Sequence, residues 1–105
     1  MCLVSRETVD EGSTTHCRFF APHFGIPEDI VTGSIHSSIG IWLFEAGLLH
    51  PDGTLAAFTA EQGDGQGRPG RLRVELQVHD GLVARVRVGG CAVTVLAGTI
   101  AVPGA

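Results

Sequence analysis

Two neighbouring segments with strictly alternating polarity constrain the fold of this chain most strongly. In residues 71–78 (RLRVELQV) apolar side chains stand at every second position, with arginine, glutamate or glutamine between them. This period of two predicts a strand with one buried face. Residues 82–88 (LVARVRV) alternate as well, and the Asp80-Gly81 step between the segments is a strong hairpin signal. The pair predicts an antiparallel hairpin.

A helix is predicted between Ser34 and Leu48, where the apolar spacing changes. The apolar stripe follows helical periodicity at Ile35, Ile39, Trp42, Leu43 and Ala46. Further apolar residues occupy the opposite side, so a buried helix is expected. Thr32 or Ser34 can cap the first turn, and Gly47 suits a left-handed turn at its end.

The remaining segments complete an α+β domain. Short strands are predicted at residues 2–5, 16–22 and 54–62, loops at 21–33 and 63–70, and one or two further strands at 91–102. A chain of 105 residues that is 44% hydrophobic and 17% charged can form one domain with a real core. The predicted fold is an antiparallel meander whose sheet curves around one buried central helix.

Charge and cysteine usage narrow the function classes. The net charge is −4, and no aromatic residues are interleaved with the arginines of the predicted strands, which argues against a nucleic-acid partner. No apolar run is long enough to span a bilayer, and no signal peptide is visible, so no membrane partner is expected. Three cysteines without a Cys-x-x-Cys spacing fit reduced thiols in a cytoplasmic protein.

Residues 28–36 (EDIVTGSIH) carry the candidate chemistry. If the helix begins near Ser34, the amides around Gly33 lie unpaired at the positive end of its dipole, where a carboxylate or phosphate binds well. The candidate substrate-binding residues are Gly33, Ser34 and Thr32. The candidate proton-transfer residues are Asp29, His36 and Glu28.

A simpler interpretation of the same stretch stays open. Thr32 or Ser34 then only caps the helix, the two acids complement its dipole, and His36 is a core histidine. Composition alone favours this interpretation. The five histidines lack zinc-ligand spacing, so no metal site is expected, and Cys17 and Cys91 fit buried thiols better than nucleophiles.

A family resemblance changes this balance. The string from Arg18 to His36, RFFAPHFGIPEDIVTGSIH, resembles the pattern R-F-F-A-P … E-D-P-V-T-G-S-A-H of the PhzF family, which are phenazine-biosynthesis-like proteins of the diaminopimelate epimerase fold. Gln62, the turn from Gly67 to Gly70 and the GGCAVTVLAGTI ending match in the same order. The resemblance covers most of the chain, from about Cys2 to Val102.

The resemblance implies a fold and an activity. The family fold has two similar lobes, each a curved sheet around a central helix, and the facing helix N-termini hold an acidic substrate. Members are cofactor-free isomerases and epimerases that move a proton; the founding activity isomerises dihydro-hydroxyanthranilic acid. The resemblance implies that the second lobe contributes to the site through the Asp and the Gly-Ser of the motif. In this sequence these residues are Asp29, Gly33 and Ser34. Residues 1–105 then form one C-terminal lobe, in which Ile30 replaces the proline of the motif.

The first lobe, with the family's glutamate and a nearby histidine, has no counterpart in this chain. Three interpretations remain. A homodimer can rebuild a two-lobed cleft and act as an isomerase, epimerase or cyclase on a small acidic secondary metabolite. Alternatively, the chain is a non-catalytic module that binds an acidic metabolite or completes a separately encoded first lobe. The third interpretation is a folded remnant without activity.

Overall fold

A computed structural model describes residues 1–104 as six strands, one α-helix and two short 3₁₀ turns. The strands and helix are β1 (Cys2–Ser5), β2 (Thr15–Ala21), β3 (Ile26–Asp29), α1 (Gly33–Glu45), β4 (Leu55–Gln62), β5 (Gly70–His79) and β6 (Leu82–Gly90). The 3₁₀ turns are Pro22–Phe24 and Asp64–Gln66. Within this described part of the chain, no helix has the length and apolarity needed to cross a membrane.

The strands form one mixed sheet in the order β1-β2-β4-β5-β6, and β3 pairs with the end of β2. The predicted hairpin between β5 and β6 is confirmed. The predicted all-antiparallel meander is wrong at one place, because β2 and β4 run parallel, with Cys17 opposite Gln62. Parallel neighbours need a long crossover, and residues 22–54, which contain β3 and α1, supply it.

The core lies between α1 and the inner face of β4 and β5. The predicted alternation in β5 is confirmed, since Leu72, Val74, Leu76 and Val78 are all buried. Ile39 and Leu43 of α1 pack against this face. At Gly40 the helix approaches so closely that an added Cβ would lie 2.8 Å from Leu76 Cδ1, 3.2 Å from Val74 Cγ1 and 3.4 Å from Phe58 Cε1.

The helix is less buried than its composition predicts. Ser34, Ser38 and Glu45 are exposed, and Trp42 is 49% exposed, because the sheet covers only one side of α1. The sheet is open rather than closed around the helix. The α+β class is therefore confirmed, whereas complete wrapping of a buried helix is not observed.

Two local predictions are wrong. The predicted loop 21–33 contains β3, which the edge of β2 recruits despite Gly25 and Pro27. The predicted strands in residues 91–102 do not form, and the apolar residues of this tail are between 70% and 93% exposed: Val93, Val95, Leu96, Ile100 and Val102. A composition that favours strands does not make a strand without a neighbouring strand to pair with.

Candidate functional site

The amino terminus of α1 is exposed and lacks a side-chain cap. Thr32 occupies the N-cap position in an extended conformation, but it makes no capping hydrogen bond. Its hydroxyl instead donates to Asp29 Oδ2 at 2.6 Å. The predicted capping role of Thr32 is therefore wrong, because the carboxylate takes the hydroxyl. The first-turn amides of Gly33 and Ser34, both exposed, have no intrahelical acceptor and keep their donors.

Gln62, buried at the end of β4, joins the residues of this stretch. Its Oε1 accepts from the Thr32 amide at 3.0 Å and contacts His36 Nε2 at 3.0 Å. Its Nε2 donates to the Asp29 carbonyl and the Thr32 hydroxyl, each at 3.1 Å. A carbonyl only accepts, so the Asp29 contact fixes the orientation of the amide. One side chain thus binds β3, the helix start and the first turn of α1.

This orientation also defines the proton on His36. Because Gln62 Oε1 only accepts, His36 Nε2 must donate, which leaves Nδ1 as an acceptor in the neutral ring. His36 is fully buried, and Nδ1 has no hydrogen-bond partner within residues 1–104. Burial lowers the pKa of His36, and the hydrogen bond to Gln62 opposes this only in part. The ring is therefore uncharged at neutral pH.

A directed chain of hydrogen bonds ends at Asp29. Gln62 Nε2 donates to Thr32 Oγ1, and the Thr32 hydroxyl donates to Asp29 Oδ2. Asp29 is half-buried beside the uncapped helix end, and within residues 1–104 its Oδ1 has no hydrogen-bond partner. Of the predicted acidic residues, Asp29 is the one joined to the Gln62 network.

Glu28 lies outside the network. Arg18 donates to both of its carboxylate oxygens, at 2.7 and 3.0 Å. These bonds lower the pKa of Glu28, so it stays ionised and paired. The structure therefore joins Asp29, Thr32 and His36 through Gln62 and places Gly33 and Ser34 beside them. Gln62 was missing from the predicted site, although its position before a glycine turn belongs to the family pattern.

A second buried polar cluster surrounds Glu61. Its carboxylate accepts from the amides of Val9 and Asp10, each at 2.8 Å, and contacts His16 Nδ1 at 2.9 Å. Burial alone raises the pKa of Glu61, but these hydrogen bonds outweigh burial and lower it to about 2. The cluster anchors the loop between β1 and β2 to β4.

The Glu61 cluster is arranged like a cation site but already contains a cation. His16, Glu61 and Asp64 bring ligand atoms within 4.8 Å of one another. Arg71 donates to both carboxylate oxygens of Asp64, at 2.9 and 2.8 Å, and its guanidinium lies 3.6 Å from Glu61. Arg71 therefore neutralises these acids and does not stand free on the sheet face.

Comparisons with known proteins show which family this sequence matches. Residues 1–98 match the sequence model of the family described as phenazine biosynthesis-like protein. An uncharacterized isomerase of Clostridium acetobutylicum is 37% identical over 86 residues, which are 82% of this chain and 28% of the relative. An uncharacterized isomerase of Deinococcus radiodurans is 44% identical over 75 residues, which are 71% of this chain and 24% of the relative.

A third relative, an uncharacterized isomerase of Mesorhizobium japonicum, is 37% identical over 98 residues, or 90% of this chain and 31% of the relative. The chain thus spans between 24% and 31% of the length of these curated relatives. The family match covers nearly all of the sequence, including the Gln62 network and the start of α1. The chain therefore belongs to the PhzF family of phenazine biosynthesis-like proteins.

Proposed function

We propose that this chain supplies one side of a cofactor-independent isomerase-type site for a small acidic metabolite. The observation that carries the proposal is the uncapped amino terminus of α1 beside the Asp29–Thr32–Gln62–His36 network. Members of the same family with the name isomerase provide independent support. The proposed reaction moves a proton on the bound acid.

The helix start is suited to hold the carboxylate of the substrate. The amides of Gly33 and Ser34 point out of the first turn at the positive end of the helix dipole. The Ser34 hydroxyl adds a further donor. An added Cβ at Gly33 would meet nothing within 4 Å, so a ligand can approach the backbone there without obstruction.

Asp29 is the favoured proton acceptor. It retains an unpaired oxygen, whereas both oxygens of Glu28 bind Arg18. His36 lies behind Gln62 and is fully buried, so we assign it a positioning role. Its hydrogen bond orients Gln62, and Gln62 in turn orients the Thr32 hydroxyl toward Asp29. Proton transfer by a positioned carboxylate is an established form of general base catalysis.

The other side of the site comes from outside this chain, and we infer a second copy. The tail 91–102 exposes a row of apolar side chains, and α1 exposes Trp42 beside an apolar groove of about 300 Å³. A two-fold dimer that covers both surfaces is the commonest arrangement for homo-oligomers. Such a dimer can bring two uncapped α1 starts to one cleft.

The anion-binding step is tested by Gly33→Pro with Gly33→Ala as its matched control. Proline is well accepted at the first helical position, and the extended Thr32 suits a following proline. Gly33→Pro removes one amide donor, whereas Gly33→Ala keeps it. With anthranilate as the probe, we expect Gly33→Pro to weaken binding about tenfold. Calorimetry measures both affinities.

The uncharged 2-aminobenzamide is the ligand control for this titration. Its affinity is expected to be low and equal in both variants, because it carries no negative charge for the helix start. Equal anthranilate affinity in Gly33→Pro and Gly33→Ala contradicts the proposed anion position.

A non-catalytic binding or assembly module is the second candidate. It is favoured by the pairing of Glu28 with Arg18 and by the burial of His36, which leave Asp29 as the one candidate proton-transfer residue that is free to act. The discriminating measurement is deuterium uptake from heavy water into dihydro-hydroxyanthranilic acid. The isomerase proposal predicts uptake that Asp29→Asn abolishes while binding persists. Binding without uptake by the unmodified chain supports the module instead.

A further inference from the structure

Two cysteine sulfur atoms lie unusually close together on the inner face of the sheet. Cys2 Sγ of β1 is 3.1 Å from Cys17 Sγ of β2. In the antiparallel pairing Cys2 is opposite Phe19, and Cys17 is opposite Val4, so the cysteines are diagonal neighbours on one face. A disulfide bond measures about 2.05 Å, so an approach of roughly 1 Å would complete it.

The two thiols differ in access. Cys17 is fully buried, and burial together with the neighbouring Cys2 raises its pKa to about 12. Cys2 is partly exposed and lines the apolar groove beside Trp42. In a single copy a small oxidant therefore reaches Cys2 first, and the proposed dimer, which covers this groove, would slow that step. The third cysteine, Cys91, is exposed in the tail.

We propose that Cys2 and Cys17 form a reversible redox pair that a peroxide converts to an intramolecular disulfide. The Cys2 sulfur attacks hydrogen peroxide, the O–O bond breaks, and Cys2 sulfenic acid and one water form. The Cys17 sulfur then attacks the Cys2 sulfur; the S–O bond breaks and a second water leaves. Two thiols lose two electrons, and one peroxide is reduced to two waters. A dithiol reverses the reaction by exchange.

The strand positions make the backbone adjustment small. β1 has only four residues and lies at an edge of the sheet, so it can shift toward β2 without disturbing another strand. Cys2 and Cys17 are 15 residues apart in the chain. The disulfide would therefore close a loop that includes Val9 and Asp10, the residues bound to Glu61. Closing such a loop stabilises the folded chain relative to the unfolded chain.

The test uses the full chain with Cys91→Ser, which removes the exposed thiol. Hydrogen peroxide is added, and the intact mass is expected to fall by about 2 Da and to return with dithiothreitol. Trypsin cleaves after Arg6 and Arg18, which separates the two cysteines. The expected product is peptide 1–6 linked to peptide 7–18, together with a melting temperature higher by several degrees.

Two single substitutions in the Cys91→Ser background test the order of events. Cys17→Ala, which keeps a small apolar side chain in the core, should accumulate Cys2 sulfenic acid that dimedone traps. Cys2→Ser should leave Cys17 unoxidised under the same conditions. The proposal is overturned if the linked peptide does not form while Cys2 is oxidised further. It is equally overturned if Cys17 is oxidised as fast in Cys2→Ser.

Discussion

Gln62 connects residues that are 26 to 33 positions away in the chain. The carboxamide is suited to this position because it both donates and accepts, so it can bind a carbonyl, an amide, a hydroxyl and an imidazole at once. All four hydrogen-bonding positions of the buried Gln62 carboxamide are used, which favours one arrangement of its partners. The position of Asp29 relative to α1 therefore depends on Gln62.

Replacement of Gln62 by leucine should destabilise the fold. The substitution leaves the Thr32 amide, the His36 ring and the Asp29 carbonyl without their partner. We expect a loss of about 3 kcal/mol in the free energy of unfolding, measured with urea. Gln77→Leu on the exposed side of β5 is the control and should change it by less than about 0.5 kcal/mol. Equal effects of the two substitutions contradict the role of Gln62.

Glu61 predicts an acid-dependent stability. Its pKa is about 2 in the folded chain and 4.5 ordinarily, so the folded chain binds this proton less readily. The stabilisation is complete above pH 4.5 and is lost as the pH falls toward 2. The free energy of unfolding measured across this range should fall less steeply for Glu61→Gln than for the unmodified chain. Glu45→Gln, on the exposed side of α1, should leave the slope unchanged.

Site residues that stand close together in the sequence could be predicted, and those brought in from distant segments could not. Asp29, Thr32 and His36 stand together before an apolar run, so their juxtaposition was evident from spacing and family pattern. Gln62 reaches them through the parallel pairing of β2 and β4, which no local pattern reveals. The pairing of Glu28 with Arg18 was equally hidden, because it depends on how β3 lies against β2.

At the scale of elements, α1 is held to the sheet by a close approach at Gly40. Its neighbours Leu76 and Val74 are fully buried, so their side chains must shift within a packed core to admit a Cβ. Overpacking in such a position costs about 1–3 kcal/mol, which exceeds the roughly 1 kcal/mol that alanine gains over glycine in a helix. The helix-to-sheet distance therefore depends on the absence of a side chain at residue 40.

Gly40→Ala should lower the stability by about 1 kcal/mol, the net of these two effects. Gly33→Ala on the same helix is the matched control, because its added Cβ meets nothing within 4 Å. Urea unfolding of both variants gives the comparison. A Gly40→Ala chain as stable as Gly33→Ala would show that the sheet can move away from the helix.

Elements with a local signal were predicted well, and elements that depend on distant neighbours were not. The alternation in β5 and β6 and the Asp80-Gly81 turn are properties of the segments themselves. The tail 91–102 is also rich in apolar and β-branched residues, yet it stays unpaired. Trp42 fits a buried stripe by spacing, but the sheet does not extend over that side of α1.

For the whole molecule, the open sheet leaves apolar surface that a second copy can cover. Trp42 is the single tryptophan, and the chain contains no tyrosine, so its fluorescence reports on one surface without background. We expect the emission maximum to shift to shorter wavelength as the protein concentration rises through the dissociation constant of the dimer. Light scattering measures the mass of the same samples.

Trp42→Phe is the control and should abolish the emission while the dimer persists. A monomer at all concentrations contradicts the two-copy site. A dimer whose emission does not shift instead shows that the copies meet elsewhere, away from the groove beside Trp42.

The parallel pairing of β2 with β4 has a consequence for folding kinetics. The pairs β1–β2, β4–β5 and β5–β6 are antiparallel. Short connections join β4 to β5 and β5 to β6, so these two pairs are expected to close early. The junction between these halves requires closure of the long crossover that carries α1, which is entropically the most costly step. Gln62 meets Asp29 and Thr32 only across that junction. The candidate site is thus expected to assemble in the last, slowest phase of folding.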